Sequence, residues 1–242
     1  MSRIVPLDLG MLRNRPKESI TFGVGAGTFV DLVCLGWLIV GDGAPILVDT
    51  GPLSAANARA EHDVELTKDA SQQLGVALAA NGVNAEDVAL VVLTHLHWDH
   101  CQCLHEVPNA RVVVQERELE YAQDPADRDR IVYEHGRHPP FLAERKRLTP
   151  VSGQKDVAPG VRVVPTPGHS PGHQSVLVET GMTRYLIAGD HFGLYENCRL
   201  RCPSGPTVDV PSWQRSFDCV VELGGVPLPG HDLDVLRASS YE

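Results

Sequence analysis

Six residues, His95-Leu-His-Trp-Asp-His100, constrain this chain more than any other stretch. They follow directly on Val88-Ala-Leu-Val-Val-Leu93, a continuous apolar run that predicts a buried strand. Residues two apart on an extended chain point the same way, so His95 and His97 can approach one ion together. Asp99 and His100 then fall on the following turn, where they can face a second ion. Zinc accepts neutral imidazole and carboxylate, and mixed nitrogen and oxygen sites also suit iron, cobalt or manganese.

Three later signals complete a set. His169 lies in Thr166-Pro-Gly-His-Ser-Pro-Gly-His173, where Pro and Gly predict a tight loop after a strand. Asp190 ends the strand pattern Tyr185-Leu-Ile-Ala-Gly-Asp190, in position to bridge two ions. His231 lies in Pro229-Gly-His-Asp232, just after the apolar Val226-Pro-Leu228. Each stands beside glycine, which gives the backbone room to bend toward a metal.

The rest of the chain supplies a frame for these ends. Phe29 to Val40 reads as a strand that turns at Gly41-Asp-Gly43 into a second, Pro45-Ile-Leu-Val48, ending in Asp49-Thr-Gly51. Lys68 to Ala80 is helical in pattern, with Gly82 placed to stop it. Arg111 to Val114 predicts another strand, followed by a short helix from Glu116 to Gln123. The mixed-charge stretch from Asp124 to Leu148 suggests a surface excursion over the sheet edge. Val161 to Val164, Gln174 to Glu179 and Tyr185 to Ala188 read as further strands. Interleaved strands and helices predict an α/β fold with sheets packed face to face. No repeat, low-complexity tract or linker interrupts the sequence, so residues 1–242 are expected to form one domain.

At this point the sequence resembles the metallo-β-lactamase superfamily, in the order HxHxDH, PGH, Asp and GH across nearly the whole chain. That resemblance implies an αββα sandwich of two mixed β-sheets, with metals at one edge. It implies that His95, His97 and His169 bind a first divalent ion, and Asp99, His100 and His231 a second, with Asp190 between them. Zinc comes first among the candidate ions. The resemblance also implies that Asp49 supports the metal loops from behind.

Composition narrows the partners. A net charge of −10 argues against nucleic acid, since phosphate binding needs a basic footprint. No stretch approaches the ~20 apolar residues that span a bilayer. Met1 to Asp8 lacks a signal-peptide core, and six cysteines without such a signal read as thiols, which suggests a reduced, cytoplasmic protein. A homodimer is among the assemblies left open.

Other residues carry weaker signals. His173 reads as a brace for the His169 loop, and His191 as structural or at the pocket rim. Cys101 and Cys103 read as buried thiols. His62, His105, His135 and His138 have no recognisable context and are expected at the surface.

Two ions about 3.5–4 Å apart hold a bridging hydroxide that is nucleophilic at neutral pH. Asp99 is then both ligand and proton acceptor. For substrate, the sequence resembles the N-acyl homoserine lactonases at Pro45 to Gly51, Leu93 to His100 and Val161 to Glu179, especially Thr166 to Ser175. The resemblance implies a small-molecule lactone substrate and quorum-quenching activity. It places Trp98 in the acyl pocket and makes Tyr195 the nearest match for a lactone-binding tyrosine, although Tyr195 lies further past Asp190 than the family pattern. Cys101-Gln102 also departs from the usual Ala-Gly. A glyoxalase II-like thioesterase or other esterase is the alternative, and a phosphodiesterase ranks below it on charge.

Overall fold

A computed structural model describes residues 2–137, 139–181, 183–205 and 207–242. His138, expected at the surface, lies outside the described residues. The larger sheet contains β1 (Arg3–Pro16), β2 (Phe29–Val40), β3 (Ile46–Val48), β4 (Leu66–Thr67), β5 (Leu90–Val92), β6 (Arg111–Gln115) and β7 (Leu148–Val151). Its spatial order is β4-β1-β2-β3-β5-β6-β7. The smaller contains β8 (Lys155–Ala158), β9 (Val161–Pro165), β10 (Gln174–Thr180), β11 (Thr183–Gly189) and β12 (Val226–Pro229), in the order β12-β11-β10-β9-β8. Both sheets are mixed: β3, β5, β6 and β7 run parallel, as do β11 and β12, while the other pairs are antiparallel. The helices are α1 (Ala55–His62), α2 (Leu74–Ala80), α3 (Trp98–Cys101), α4 (Glu116–Gln123), α5 (Pro140–Ala143), α6 (Tyr195–Leu200) and α7 (Val210–Leu223).

The unbroken apolar run at β5 has a simple cause. Leu90 and Val92 face the second sheet, meeting Val163, Val176 and Ile187, while Val91 and Leu93 pack with Leu74 and Leu78 of α2. A parallel strand buried on both faces needs apolar side chains in both directions. On the far side, Val164, Leu177 and Leu186 pack under Trp213, Phe217 and Val220 of α7. The layers are helix, sheet, sheet, helix, as the resemblance implied.

Three expectations need correction. β1 carries no clear strand pattern in the sequence, because Pro6 and Gly10 interrupt it and two register shifts break its alternation. Pro6 is tolerated because β4 pairs only with Met11 and Leu12 and Tyr241 bridges only Ile4, which leaves Pro6 itself at a sheet edge. The helix expected over 68–80 begins only at Leu74. Asp69 accepts from the Ser71 N–H, and Gln72 returns a bond to the Asp69 N–H, closing a separate short turn that leaves Gln73 extended. The stretch 124–148 is more than a surface excursion: Tyr133, Glu134 and Phe141 are buried, and Val132 accepts from the Trp98 N–H.

The strand ends converge on one edge. The β11–β12 register sets Gly189 against Pro229, so Asp190 and His231 emerge side by side. The β9–β10 register sets Pro165 against Gln174 and closes the loop that carries His169. Gln174 ties the sheets together there, its N–H donating to Thr94 and its side-chain amide to Leu93. Among the described residues no helix is long and apolar enough to cross a membrane.

Candidate metal centre

The seven residues singled out by sequence meet at this edge. His97 Nδ1 stands 3.1 Å from His169 Nε2, with His95 completing a buried trio. Two donors on one tetrahedral zinc stand about 3.3 Å apart for bonds of 2.0–2.1 Å, so the trio matches a single ion. On the other side, His100 Nε2 and His231 Nε2 each lie 3.9 Å from Asp99 Oδ2. Asp190 lies between the two groups. Its Oδ2 is 3.3 Å from His169, and its Oδ1 is 3.3 Å from His100 and 2.9 Å from His231.

The rings are aimed by their outer nitrogens. His100 Nδ1 donates to Asp49 Oδ2 at 2.8 Å, and His231 Nδ1 to the Val33 carbonyl at 2.9 Å. His95 Nδ1 meets Thr94 Oγ1 at 3.0 Å, and His169 Nδ1 meets Ser204 Oγ at 3.2 Å. Each contact fixes a ring so that Nε2 faces inward, the usual way a protein orients a ligating histidine. The Asp49 carboxylate also accepts from the Thr94 N–H and hydroxyl, both at 2.7 Å, and so supports the start of the His95 loop as the resemblance implied.

Inside the cluster, His95 Nε2, His100 Nε2 and Asp190 Oδ1 are buried and, among the described residues, make no well-aligned hydrogen bond, Asp190 Oδ1 having only its ion pairs with His100 and His231. Burying polar atoms unpaired costs roughly 1–3 kcal/mol each. Three such atoms converging with four more ligand groups fit a pair of divalent cations. Burial, reinforced by neighbouring imidazoles, holds His95 and His97 well below the ordinary imidazole range. Burial would also depress His100 and His231, but Asp190 and Asp99 outweigh it and both rise. The same imidazoles, against burial, hold Asp190 well below the carboxylate range.

Sequence reasoning missed Glu118. Its carboxylate is fully buried and accepts from the Leu96 and Gly172 N–H groups and from the Tyr133 and Ser170 hydroxyls, at 2.7–3.1 Å. It therefore joins the His95–His100 loop to the His169 loop. Gly172 makes this approach feasible, since a Cβ there would come within 2.1 Å of the Glu118 nitrogen. A glutamate inside an ordinary charged helix carries no sequence signal for such a role.

The remaining residues are placed as follows. His173 braces the loop: its Nε2 accepts from the Asp190 N–H, which leaves Nδ1 to donate to Thr166. His191 is buried against Phe192 and Trp213, away from the cluster, and burial pushes its pKa down to about 3. Cys101 and Cys103 are buried, their thiols directed at the Leu96 and Pro52 carbonyls. His105 is exposed, as expected, and His135 is partly exposed. His62 is not at the surface: it is buried, stacked 4.3 Å from Trp98, with Nε2 3.2 Å from Glu134. Tyr195 does not join the site. It lines a separate surface depression beside Asp232, and its hydroxyl engages Tyr241. At the start of α6 the side chain is partly buried and packs beside Tyr241, away from the cavity floor, and the substrate-facing role expected of it is not carried further.

Above the cluster lies a cavity of about 510 Å³. Its floor is His97, Asp99, His169, Asp190 and His231, and its apolar wall includes Leu12, Ile20, Leu32, Trp98 and Ile131.

Comparison with known proteins agrees with this geometry. Residues 30–231 match the metallo-beta-lactamase superfamily. An N-acyl homoserine lactonase from a Bacillus species is 30% identical over 236 residues, covering 91% of this chain and 89% of that protein. The N-acyl homoserine lactonase of Bacillus cereus is 30% identical over 172 residues, 68% of this chain and 65% of that protein. Among solved structures, an N-acyl homoserine lactone hydrolase with N-hexanoyl-L-homoserine at its catalytic metal centre superposes with a TM-score of 0.80 at 23% identity. That match covers 97% of this chain and 95% of that one. A dizinc quorum-quenching lactonase gives 0.75 at 15% identity, covering 96% and 88%. The chain belongs to the metallo-β-lactamase superfamily. Within it, this protein is an N-acyl homoserine lactonase-like metallohydrolase.

Proposed function

We propose that the protein is a dinuclear metal-dependent lactonase that opens a small lactone of the N-acyl homoserine type. The observation that carries the reading is Asp190, whose two oxygens face two separate ligand groups at 2.9–3.3 Å under a largely apolar cavity. His95, His97 and His169 would hold one ion and Asp99, His100 and His231 the other, with zinc the first candidate. Two such ions supply a hydroxide that is nucleophilic at neutral pH and a positive field for developing oxyanion charge.

The chain's own residues do the rest. Trp98, Leu12, Leu32 and Ile131 offer an apolar wall to an acyl chain and orient the ring toward the floor. Asp99 belongs to the cluster and also lines the cavity, so it can take a proton there and return it to the departing alcohol. The buried Asp49 and Glu118 carboxylates hold both histidine loops in register, so the geometry exists before substrate arrives.

The test is kcat/KM of metal-loaded protein across acylated lactones, S-lactoylglutathione and bis-p-nitrophenyl phosphate. Lactones should lead. If either of the others outperformed every lactone by about tenfold, about 1.4 kcal/mol in the barrier, the lactone assignment would fall and only the hydrolase would stand.

A further inference from the structure

The two ligand groups differ in one respect that the seven-residue set leaves unexplained. Beside Asp99 and His231 lies the sulfur of Cys34, and the three ligand atoms fall within 4.8 Å of one another. Cys34 sits on β2, next to Val33, whose carbonyl aims the His231 ring. Strand alternation turns Cys34 to the side of Trp98 and Leu32, toward the cavity floor and away from the core between the sheets.

Its surroundings are those of a donor. Cys34 is fully buried, and its sulfur has no hydrogen-bond partner among the described residues, whereas Cys101 and Cys103 both point at carbonyls. His100 Nε2, which makes no hydrogen bond among the described residues, is aimed at the Asp99 and Asp190 carboxylates of the same group. Donors on one tetrahedral zinc, with sulfur at about 2.3 Å and nitrogen or oxygen at about 2.0–2.2 Å, stand about 3.6 Å apart. From separations within 4.8 Å, side-chain adjustments totalling on the order of 1 Å would close all three atoms on one ion.

We infer that Cys34 is a sulfur ligand to the ion held by Asp99 and His231. The inference rests on the dinuclear reading above. On coordination the thiol releases its proton to solvent and a metal–sulfur bond forms, with no change in oxidation state. One ion then has nitrogen and oxygen donors alone, while the other adds a soft donor. Thiolate favours zinc over manganese or magnesium, so the second position becomes the more selective of the two.

The experiment loads the intact protein with cobalt(II) and records its absorption, using wild type, Cys34→Ala, Cys34→Ser and Cys101→Ala. The expected result is two cobalt ions per chain and a near-ultraviolet thiolate-to-cobalt charge-transfer band. That band should vanish in both Cys34 variants and persist in Cys101→Ala. X-ray absorption of the zinc form should show a sulfur neighbour at about 2.3 Å. In Cys34→Ser, which nearly preserves volume, zinc affinity at one position should fall about 10–100-fold, a range that loss of a mere supporting partner already reaches. Two bound cobalt ions with no such band, or with a band that survives Cys34→Ala, would overturn the sulfur ligand and leave the dinuclear site standing. Failure of wild type to retain any metal would overturn both.

Discussion

The two halves of the cluster are built on different electrostatic plans. His95, His97 and His169 are shifted toward the neutral form mainly by burial, with the shared Asp190 as their chief carboxylate neighbour. His100 and His231 are shifted toward the charged form by Asp190 and Asp99, with Asp49 adding to His100. A neutral trio can accept a cation without exchanging anything. The second half must surrender protons to receive one. One half is therefore a preformed socket, and the other is an ion-paired network that metal displaces.

The largest test of this contrast removes what the halves share. Asp190→Asn keeps the shape but takes away the one negative charge facing both groups. Metal content should fall below two per chain, and kcat/KM should drop on the order of 10²–10³-fold, about 3–4 kcal/mol. Elemental analysis beside lactone kinetics checks it. Full activity with two metals bound would show that Asp190 does not bridge.

A second variant acts on one half alone. Asp49 donates nothing to the cluster directly, yet it fixes both His100 and the Thr94 turn. In Asp49→Asn the amide can no longer accept all three bonds, so His100 loses its fixed orientation. Metal affinity should fall about 10–100-fold at the second position and much less at the first. Competition with a chromogenic chelator resolves the two. Equal weakening at both positions would mean that Asp49 supports the loop as a whole and not His100 in particular.

Acid provides the third test. In the metal-depleted protein His100 and His231 have raised pKa values, so each binds its proton at pH values where a free imidazole would lose it. Metal must displace those protons, and affinity at the second position should climb with pH by about tenfold per unit for each proton released. His95 and His97 are depressed, so protons compete for them only well below the ordinary imidazole range. On acidification the second ion should leave first, and loading it should release more protons to a weakly buffered solution than loading the first. Simultaneous loss of both ions would erase the distinction between the halves.

These halves were legible in the sequence because each ligand sits at a strand end beside a local signal. HxHxDH follows an apolar run, His169 and His231 follow glycine, and Asp190 closes a strand. What positions them was less legible. Asp49 could be seen by its Asp-Thr-Gly turn, but Glu118 is an unremarkable residue in a charged helix whose four partners come from three other segments. The cavity wall was hidden for the same reason. Leu12 belongs to the overlooked β1, Ile131 and Val132 to a stretch whose charges suggested solvent, and Asp129 and Glu134 satisfy those charges internally through Tyr121, His62 and Gln102. Ligand sets are written in short stretches of chain, whereas pockets are assembled by tertiary packing. Tyr195 shows the converse hazard, since proximity to Asp190 in sequence did not bring its side chain to the floor.

The smallest effect concerns that wall and separates it from the metal floor. Trp98 was assigned to the pocket from its place between His97 and Asp99, and it does line the cavity, stacked on the buried His62. His62 is itself held by Glu134, which also accepts from Gln102, so the tryptophan ring rests on a fixed support. Trp98→Ala removes apolar surface that would contact the acyl chain equally in the bound substrate and in the transition state. Loss of such uniform binding raises KM and leaves kcat nearly unchanged. A shift of about 1 kcal/mol corresponds to roughly a fivefold rise in KM for long-chain lactones. Short-chain lactones, which do not reach the wall, should change less, and metal content should not change at all. Trp98 is adjacent to Asp99, however, and begins the helical turn that carries Asp99 and His100. If Trp98→Ala lowered kcat and metal content together and treated short and long chains alike, the ring would be bracing the ligand turn. The wall and the floor would then be one structure.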